Sequence, residues 1–211
     1  MPNQTTTAFD RQAHWEKVYT TKAETEVSWF QATPEISLDL MRAAGVTPRS
    51  AIVDIGGGAS RLVDALVGAG YGDVTVLDIS NRALDIARAR LGDKAGRVQW
   101  LVADVTRWQP GRRYDLWHDR ATFHFLVNEV DRRAYVENLR RALAAGGHAI
   151  IGTFALDGPE RCSGLPIVRY DAASLGATLG RDFVLVERRL DAHRTPSGAV
   201  QNFQFSLFRR A

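Results

Sequence analysis

The chain has 211 residues, an apolar fraction of 45% and a formal net charge of +3. That suffices for one domain with a sizeable core and leaves little for a second. No apolar run reaches the roughly 20 residues of a membrane helix, residues 1–7 lack the apolar segment of a secretory signal, and a lone cysteine, Cys162, cannot pair within the chain, which fits a reducing, cytoplasmic setting.

Residues 1–8 read as a frayed tail. A short helix is predicted from Asp10, as cap, to about Thr20, and a second enters at Pro34 after Thr33 and stops before Gly45. The rhythm then changes to short Val/Ile-rich runs alternating with amphipathic stretches. Strands are predicted at 51–55, 74–77, 98–102, 114–117 and 148–153, with helices at 60–69, 81–91 and 131–143, the last ended by Gly146-Gly147. Such βαβα alternation builds an α/β, mostly parallel sheet covered by helices on both faces. A helix at 171–179 and two strands, 183–190 and 200–208, joined across Thr195-Pro196-Ser197-Gly198, add an antiparallel hairpin at the far edge. The basic residues lie in helical stretches with acidic neighbours and no aromatic platform, so a nucleic-acid surface is not expected.

In a doubly wound sheet, ligands bind beyond the carboxyl ends of the strands. The first strand ends in Asp54-Ile55-Gly56-Gly57-Gly58, where glycines let the backbone approach a ligand. A dinucleotide fingerprint requires a third glycine three residues after the second, and Arg61 stands there. Asp54, ahead of the glycines, is placed to receive the ammonium of an amino-acid cofactor. The second strand ends at Asp78-Ile79, where a carboxylate reads ribose hydroxyls and Ile79 packs on an adenine face. The third ends in Ala103-Asp104-Val105, with Asp104 as acceptor for an adenine amino group. Each carboxylate alone could be a strand-end or helix cap; three at successive strand ends point to a cofactor.

These motifs resemble motifs I, II and III of the class I S-adenosylmethionine (SAM)-dependent methyltransferases. The resemblance implies a Rossmann-like seven-stranded sheet of order 3-2-1-4-5-7-6, strand seven antiparallel, with SAM as cofactor and S-adenosylhomocysteine as its product. Trp15-Glu16-Lys17-Val18-Tyr19 and Val27-Ser28-Trp29-Phe30 are similar to N-terminal segments of small-molecule methyltransferases. They are also similar to those of the subgroup that methylates lysines of citrate synthase and translation elongation factor. The resemblance implies one domain, in which residues 1–48 form a lid over the core at 49–211 and Trp15, Tyr19, Trp29 and Phe30 contact the cofactor.

The acceptor is expected beyond the fourth strand, where His118, Asp119, Arg120 and His124 cluster as candidates for base, orienter or acceptor binding. Asp119 and Arg120 could instead form a structural ion pair, and His124, between phenylalanines, could be a core histidine. The Asn/Asp-Pro-Pro-Tyr tetrapeptide of nucleobase and glutamine N-methylases is absent. Segments 153–154 and 158–165 complete the pocket, with Cys162 as small buried packing, and His193, Thr195 and Gln201 flank the terminal turn. No His/Cys spacing suggests a metal site. The expected function is methyl transfer to a small-molecule acceptor, such as a thiol, by a monomer or homodimer. The alternatives are a protein lysine methyltransferase and a SAM-binding regulatory or inactive subunit.

Overall fold

A computed structural model describes residues 9–211; the tail expected at 1–8 lies outside the described residues. Two N-terminal helices, α1 (Arg11–Thr21) and α2 (Glu35–Ala43), precede β1 (Ala51–Ile55), α3 (Leu62–Gly68), β2 (Asp73–Asp78), α4 (Asn81–Leu91) and β3 (Val98–Val102). Then come β4 (Tyr114–Arg120), α5 (Glu129–Ala142), β5 (Leu143–Phe154), a small hairpin of β6 (Arg161–Cys162) and β7 (Leu165–Pro166), α6 (Ala172–Leu179), β8 (Phe183–Arg194) and β9 (Val200–Arg210). The main sheet has seven strands in the order β3-β2-β1-β4-β5-β9-β8. Strands β1 to β5 pair in parallel, whereas β9 runs antiparallel to both β5 and β8. With the separate β6–β7 hairpin set aside, this is the order the motifs imply.

Alternation along the central strands sorts side chains into two cores. Val53, Ile55 and Trp117 face α5 and α6, packing with Tyr135, Leu139 and Leu175. Ile52 and Leu116 face the other side, with Leu40 and Met41 of α2 and Leu62 and Leu66 of α3. The helices are capped as their first residues dictate: Asp10 accepts from the Ala13 amide, Ser80 from Ala83 and Asn128 from Asp131, while Asp171 and Ser174 close a capping box.

Several boundaries differ from the sequence pattern, and β5 and β8 are longer than predicted, at 143–154 and 183–194. Pro34, not Thr33, occupies the cap position of α2, and it offers no side-chain bond. Helix α3 begins at Leu62, because residues 56–61 are used by the glycine turn. Gly146-Gly147 do not end α5; they lie within β5, with Gly146 at φ +74°, where the β4–β5 register shifts. The consequential difference is β4, which continues to Arg120 because Asp54 pairs with His118, Ile55 with Asp119 and Arg120 with Gly152. His118 and Arg120 therefore lie on one face of a central strand and Asp119 on the other.

Candidate active site

The carboxyl ends of β1, β2, β3 and β4 open into one cleft, and its floor is the turn after β1. Gly56 has φ +63°, and a Cβ there would overlap Thr122 Oγ1. Thr122 in turn donates from its hydroxyl to the Ile55 carbonyl (3.2 Å). A Cβ on Gly57 would lie 2.5 Å from Asp54 Oδ2 and one on Gly58 2.8 Å from Asp78 Oδ2. Side chains are thus excluded where two carboxylates approach the turn.

Asp54 is buried, and its Oδ1 is 2.7 Å from His118 Nδ1. His118 Nε2 is 2.9 Å from Ser37 Oγ on α2. The tautomer that satisfies both bonds carries its proton on Nδ1 and accepts from Ser37. Asp54 Oδ2 is buried beside the glycine turn with no hydrogen-bond partner. Such an atom is costly to leave alone, and an ammonium group fits it. Asp78 accepts from the Ser80 amide (2.8 Å), and burial, reinforced by the nearby acids Asp54 and Glu16, pushes its carboxyl up to about 7. Asp104 Oδ1 accepts from both the amide and the hydroxyl of Thr106 (2.8 and 2.7 Å), closing a turn, and its other oxygen lies 3.7 Å from Arg11. Asp78, Ile79, Ala103, Asp104 and Val105 line one open space. Asp54, Gly56, Gly57 and His118 line a smaller adjoining one, and Tyr19, Trp29, Gly56 and Arg120 border both.

The N-terminal segment covers this cleft. Glu16 accepts from the amides of Asn81 and Arg82 at the start of α4 (2.7 and 3.2 Å), so α1 is fastened by a carboxylate on a helix N-terminus. Trp15 packs edge-on against Trp29 and Phe125, with ring centroids 5.7 and 5.0 Å apart. Glu24 binds both Arg61 and Arg90, and Arg90 also binds Asp64 and the carbonyls of Ala59 and Ser60. Two further bonds hold residues 28–29: Arg120 Nη1 to the Trp29 carbonyl (2.7 Å) and His193 Nε2 to the Ser28 carbonyl (2.8 Å). Phe30 lines the smaller space, with the Arg61 guanidinium 5.9 Å from its ring.

The four polar residues expected to converge after β4 do not. Arg120 faces the cleft. His118 reaches only its Asp54 end, with both ring nitrogens hydrogen-bonded, to Asp54 and to Ser37. Asp119, on the opposite face, accepts from the amides of Thr122 (2.9 Å) and Phe123 (3.1 Å) and from the Tyr135 hydroxyl (2.6 Å), which itself accepts from Trp117 Nε1 (2.8 Å). No Asp119–Arg120 ion pair forms among the described residues, because strand alternation separates them. Asp119 shapes the turn at 121–123 instead, and burial lifts its carboxyl to about 6. His124 is fully buried, 3.4 Å from the Phe154 amide, with its conjugate acid pushed down to about 3; it does not line the cleft. Cys162 is buried on the β6–β7 hairpin at the cleft wall, where burial pushes its thiol up to about 12.

The sequence places the stretch through Leu126 at the acceptor but singles out none of Ala121, Thr122, Phe125 or Leu126, and it gives no sign of Arg11. Nor does it mark Ser37, Glu16 and Glu24, which hold the cleft's parts together. Ala121 has φ +67°, a strained setting that an alanine does not advertise.

Residues 52–147 match the family described as "Methyltransferase domain". The chain is 32% identical over 80 residues to nodulation protein S of Rhizobium tropici, covering 38% of this chain and 33% of that protein. It is 23% identical over 138 residues to the eEF1A lysine and N-terminal methyltransferase of Mus musculus, covering 65% of this chain and 19% of that protein. These matches therefore span a third or less of the relatives' own lengths. The N-methyltransferase NodS of Bradyrhizobium japonicum WM9, solved with S-adenosylhomocysteine, superposes with a TM-score of 0.69 at 18% identity, covering 95% of this chain and 99% of that one. Residues 52–147 thus match a methyltransferase domain, and the sheet order and glycine turn around them are those of the class I SAM-dependent methyltransferase fold.

Proposed function

We propose that the protein binds SAM and transfers its methyl group to a small-molecule acceptor. The observation that carries this reading is the line of strand-end carboxylates, Asp54, Asp78 and Asp104, around a turn from which side chains are sterically excluded. Asp54 Oδ2 would receive the ammonium, with its orientation set by His118 and Ser37. Asp78 would accept from the ribose hydroxyls, and Ile79 and Val105 would flank the adenine, with Asp104 at its amino group. SAM supplies a methyl group on a sulfonium, open to in-line attack. The chain's part is to hold the acceptor in line and to exclude water, through the aromatic cover of Trp15, Tyr19, Trp29 and Phe125.

The small-molecule reading rests on that cover: α1, residues 27–30 and the β6–β7 hairpin leave a partly enclosed, largely apolar space with Trp15, Tyr19, Trp29 and Phe125 in its wall. The lysine methyltransferase reading is favoured by the murine relative's name. The test is purified protein with methyl-labelled SAM, offered separately to lysate proteins and to a size-filtered metabolite pool. Label is expected in the metabolites. Label confined to protein would replace the small-molecule reading, and binding without turnover on either pool would favour a regulatory subunit.

A further inference from the structure

Arg120 is a cation without an anion. Its Nη1 donates to the Trp29 carbonyl, and its guanidinium carbon sits 4.8 Å from the centre of the Phe203 ring, so the group is held in place. Its Nε and Nη2 are shut off from water and have no hydrogen-bond partner. No carboxylate among the described residues forms an ion pair with it. Asp119 points to the other face of the sheet and is satisfied there. Asp191, on β8, is close enough to be felt by the guanidinium but makes no bond to it. Cys162, its neighbour at the cleft wall, keeps its proton, since burial lifts that thiol to about 12. Leaving a charged donor unpaired in such a place is costly, and here it lies where the two parts of the cleft meet.

We propose that Arg120 is the anchor for a carboxylate on the methyl acceptor, which is therefore an anionic small molecule with an aromatic or other flat apolar body. A guanidinium matches a carboxylate through two parallel N–H donors, and Nε with Nη2 is one such pair. The rings of Trp15, Trp29 and Phe125 provide the flat walls for the remainder of the molecule. Nε and Nη2 are closed over, so entry requires residues 27–30 or the β6–β7 hairpin to move aside. Residues 27–30 are held by the bonds from Arg120 and His193 to residues 28–29 and by the packing of Val27 and Trp29, and the hairpin by buried Cys162. The proposal rests on the methyltransferase reading for the word acceptor; the anion site itself does not.

The test uses benzoate, 4-hydroxybenzoate and indole-3-acetate, each beside its neutral amide. They are titrated calorimetrically into the full-length protein, free and saturated with S-adenosylhomocysteine. The expected result is that at least one carboxylate binds about tenfold more tightly than its amide, a difference the size of a charge-assisted pair. That preference should vanish in Arg120→Met and return in part in Arg120→Lys. A variant that merely loosened the fold would weaken acid and amide together and would leave their ratio intact. A ratio near one in the wild type for all three pairs, or a preference that survives Arg120→Met, overturns the proposal.

A second comparison covers the other source of a carboxylate, the cofactor itself. S-adenosylhomocysteine and its decarboxylated analogue are titrated into wild type and Arg120→Met. Equal losses, or none, are expected. A loss confined to the carboxylated ligand would show that Arg120 reads the cofactor and would overturn the proposal. If the wild type binds neither nucleoside, the methyltransferase reading fails, while the acid-to-amide ratio on the free protein still decides the anion site.

Discussion

Asp54 and His118 occupy paired positions on adjacent parallel strands, and their side chains meet at 2.7 Å inside the core. The pair belongs to β1 and β4, and Ser37 extends it to α2. Its effect is to fix one carboxylate oxygen so that the other stays free beside the glycine turn. His118→Ala is expected to let Asp54 turn and to weaken S-adenosylhomocysteine binding by about tenfold, the size of one hydrogen bond to a charged group. The pH profile of turnover should keep its shape, because both ring nitrogens are hydrogen-bonded, to Asp54 and to Ser37. Calorimetry on the variant checks the first outcome. A basic limb lost from the profile would return His118 to the role of base.

Asp78 gives the site a dependence on pH. Its carboxyl is held near 7, well above its ordinary 3.8, by burial and by the nearby Asp54 and Glu16. The folded state thus favours the protonated form. This stabilisation is fully present below the unfolded value near 3.8 and is lost as pH rises through about 7. Ribose hydroxyls, in contrast, donate to the ionised carboxylate. Cofactor affinity is therefore expected to rise from about pH 5.5 to about pH 8, with release of a proton on binding at the acidic end. Titrations of S-adenosylhomocysteine in buffers of different ionisation enthalpy read that proton directly. Asp78→Asn should bind more weakly by roughly 1–3 kcal/mol at high pH and should lose this release. Proton release unchanged in the variant would assign it elsewhere.

The cover over the cleft hangs on Glu24. This carboxylate takes both Arg61 and Arg90, and Arg90 is shared with Asp64 and with the carbonyls of Ala59 and Ser60 beside the glycine turn. Glu24→Gln is expected to cost roughly 1–2 kcal/mol, since Arg90 keeps Asp64. The loss should be local: faster amide exchange at residues 22–30 and a faster S-adenosylhomocysteine off-rate, with little change in the exchange of β1 and β4. Exchange rising evenly through the sheet would mean that the network supports the whole fold instead.

The elements of the sheet were legible because β1, β2, β3 and β5 are short Val/Ile-rich runs separated by helix-length amphipathic stretches. Asp54, Asp78 and Asp104 could be placed because each stands at or just past the carboxyl end of such a run. The end of β4 was not legible. Trp117-His118-Asp119-Arg120 looks like a polar loop, yet strand pairing on both sides carries it to Arg120, and alternation then divides its charges between two faces. His118 is satisfied by Ser37 and Asp54, and Asp119 in part by Tyr135, all distant in sequence, and no local pattern announces such partners. Arg120 alone of these reaches the larger part of the cleft, and His118 lines only the smaller. The β6–β7 hairpin was hidden for a different reason: two residues per strand are too few for any periodicity to register.

Gly56 and Thr122 make a contact that no single position explains. Gly56 takes φ +63°, and its missing Cβ is what lets Thr122 come down on the turn and donate to the Ile55 carbonyl. Gly56→Ala therefore meets two obstacles, a left-handed backbone and a steric overlap, and is expected to destabilise the protein by at least about 2 kcal/mol. Thr122→Ala alone should cost less, about 1 kcal/mol for the hydroxyl bond. It deletes the very atom that the new methyl group would strike. In the double variant the Oγ1 overlap is gone, while the backbone penalty and the lost hydroxyl bond remain, so the two losses should sum to more than the pair costs together. Denaturant unfolding of the four proteins gives this coupling. A double variant as unstable as the sum of the single ones would show that backbone conformation, and not the approach of Thr122, dictates glycine at this turn.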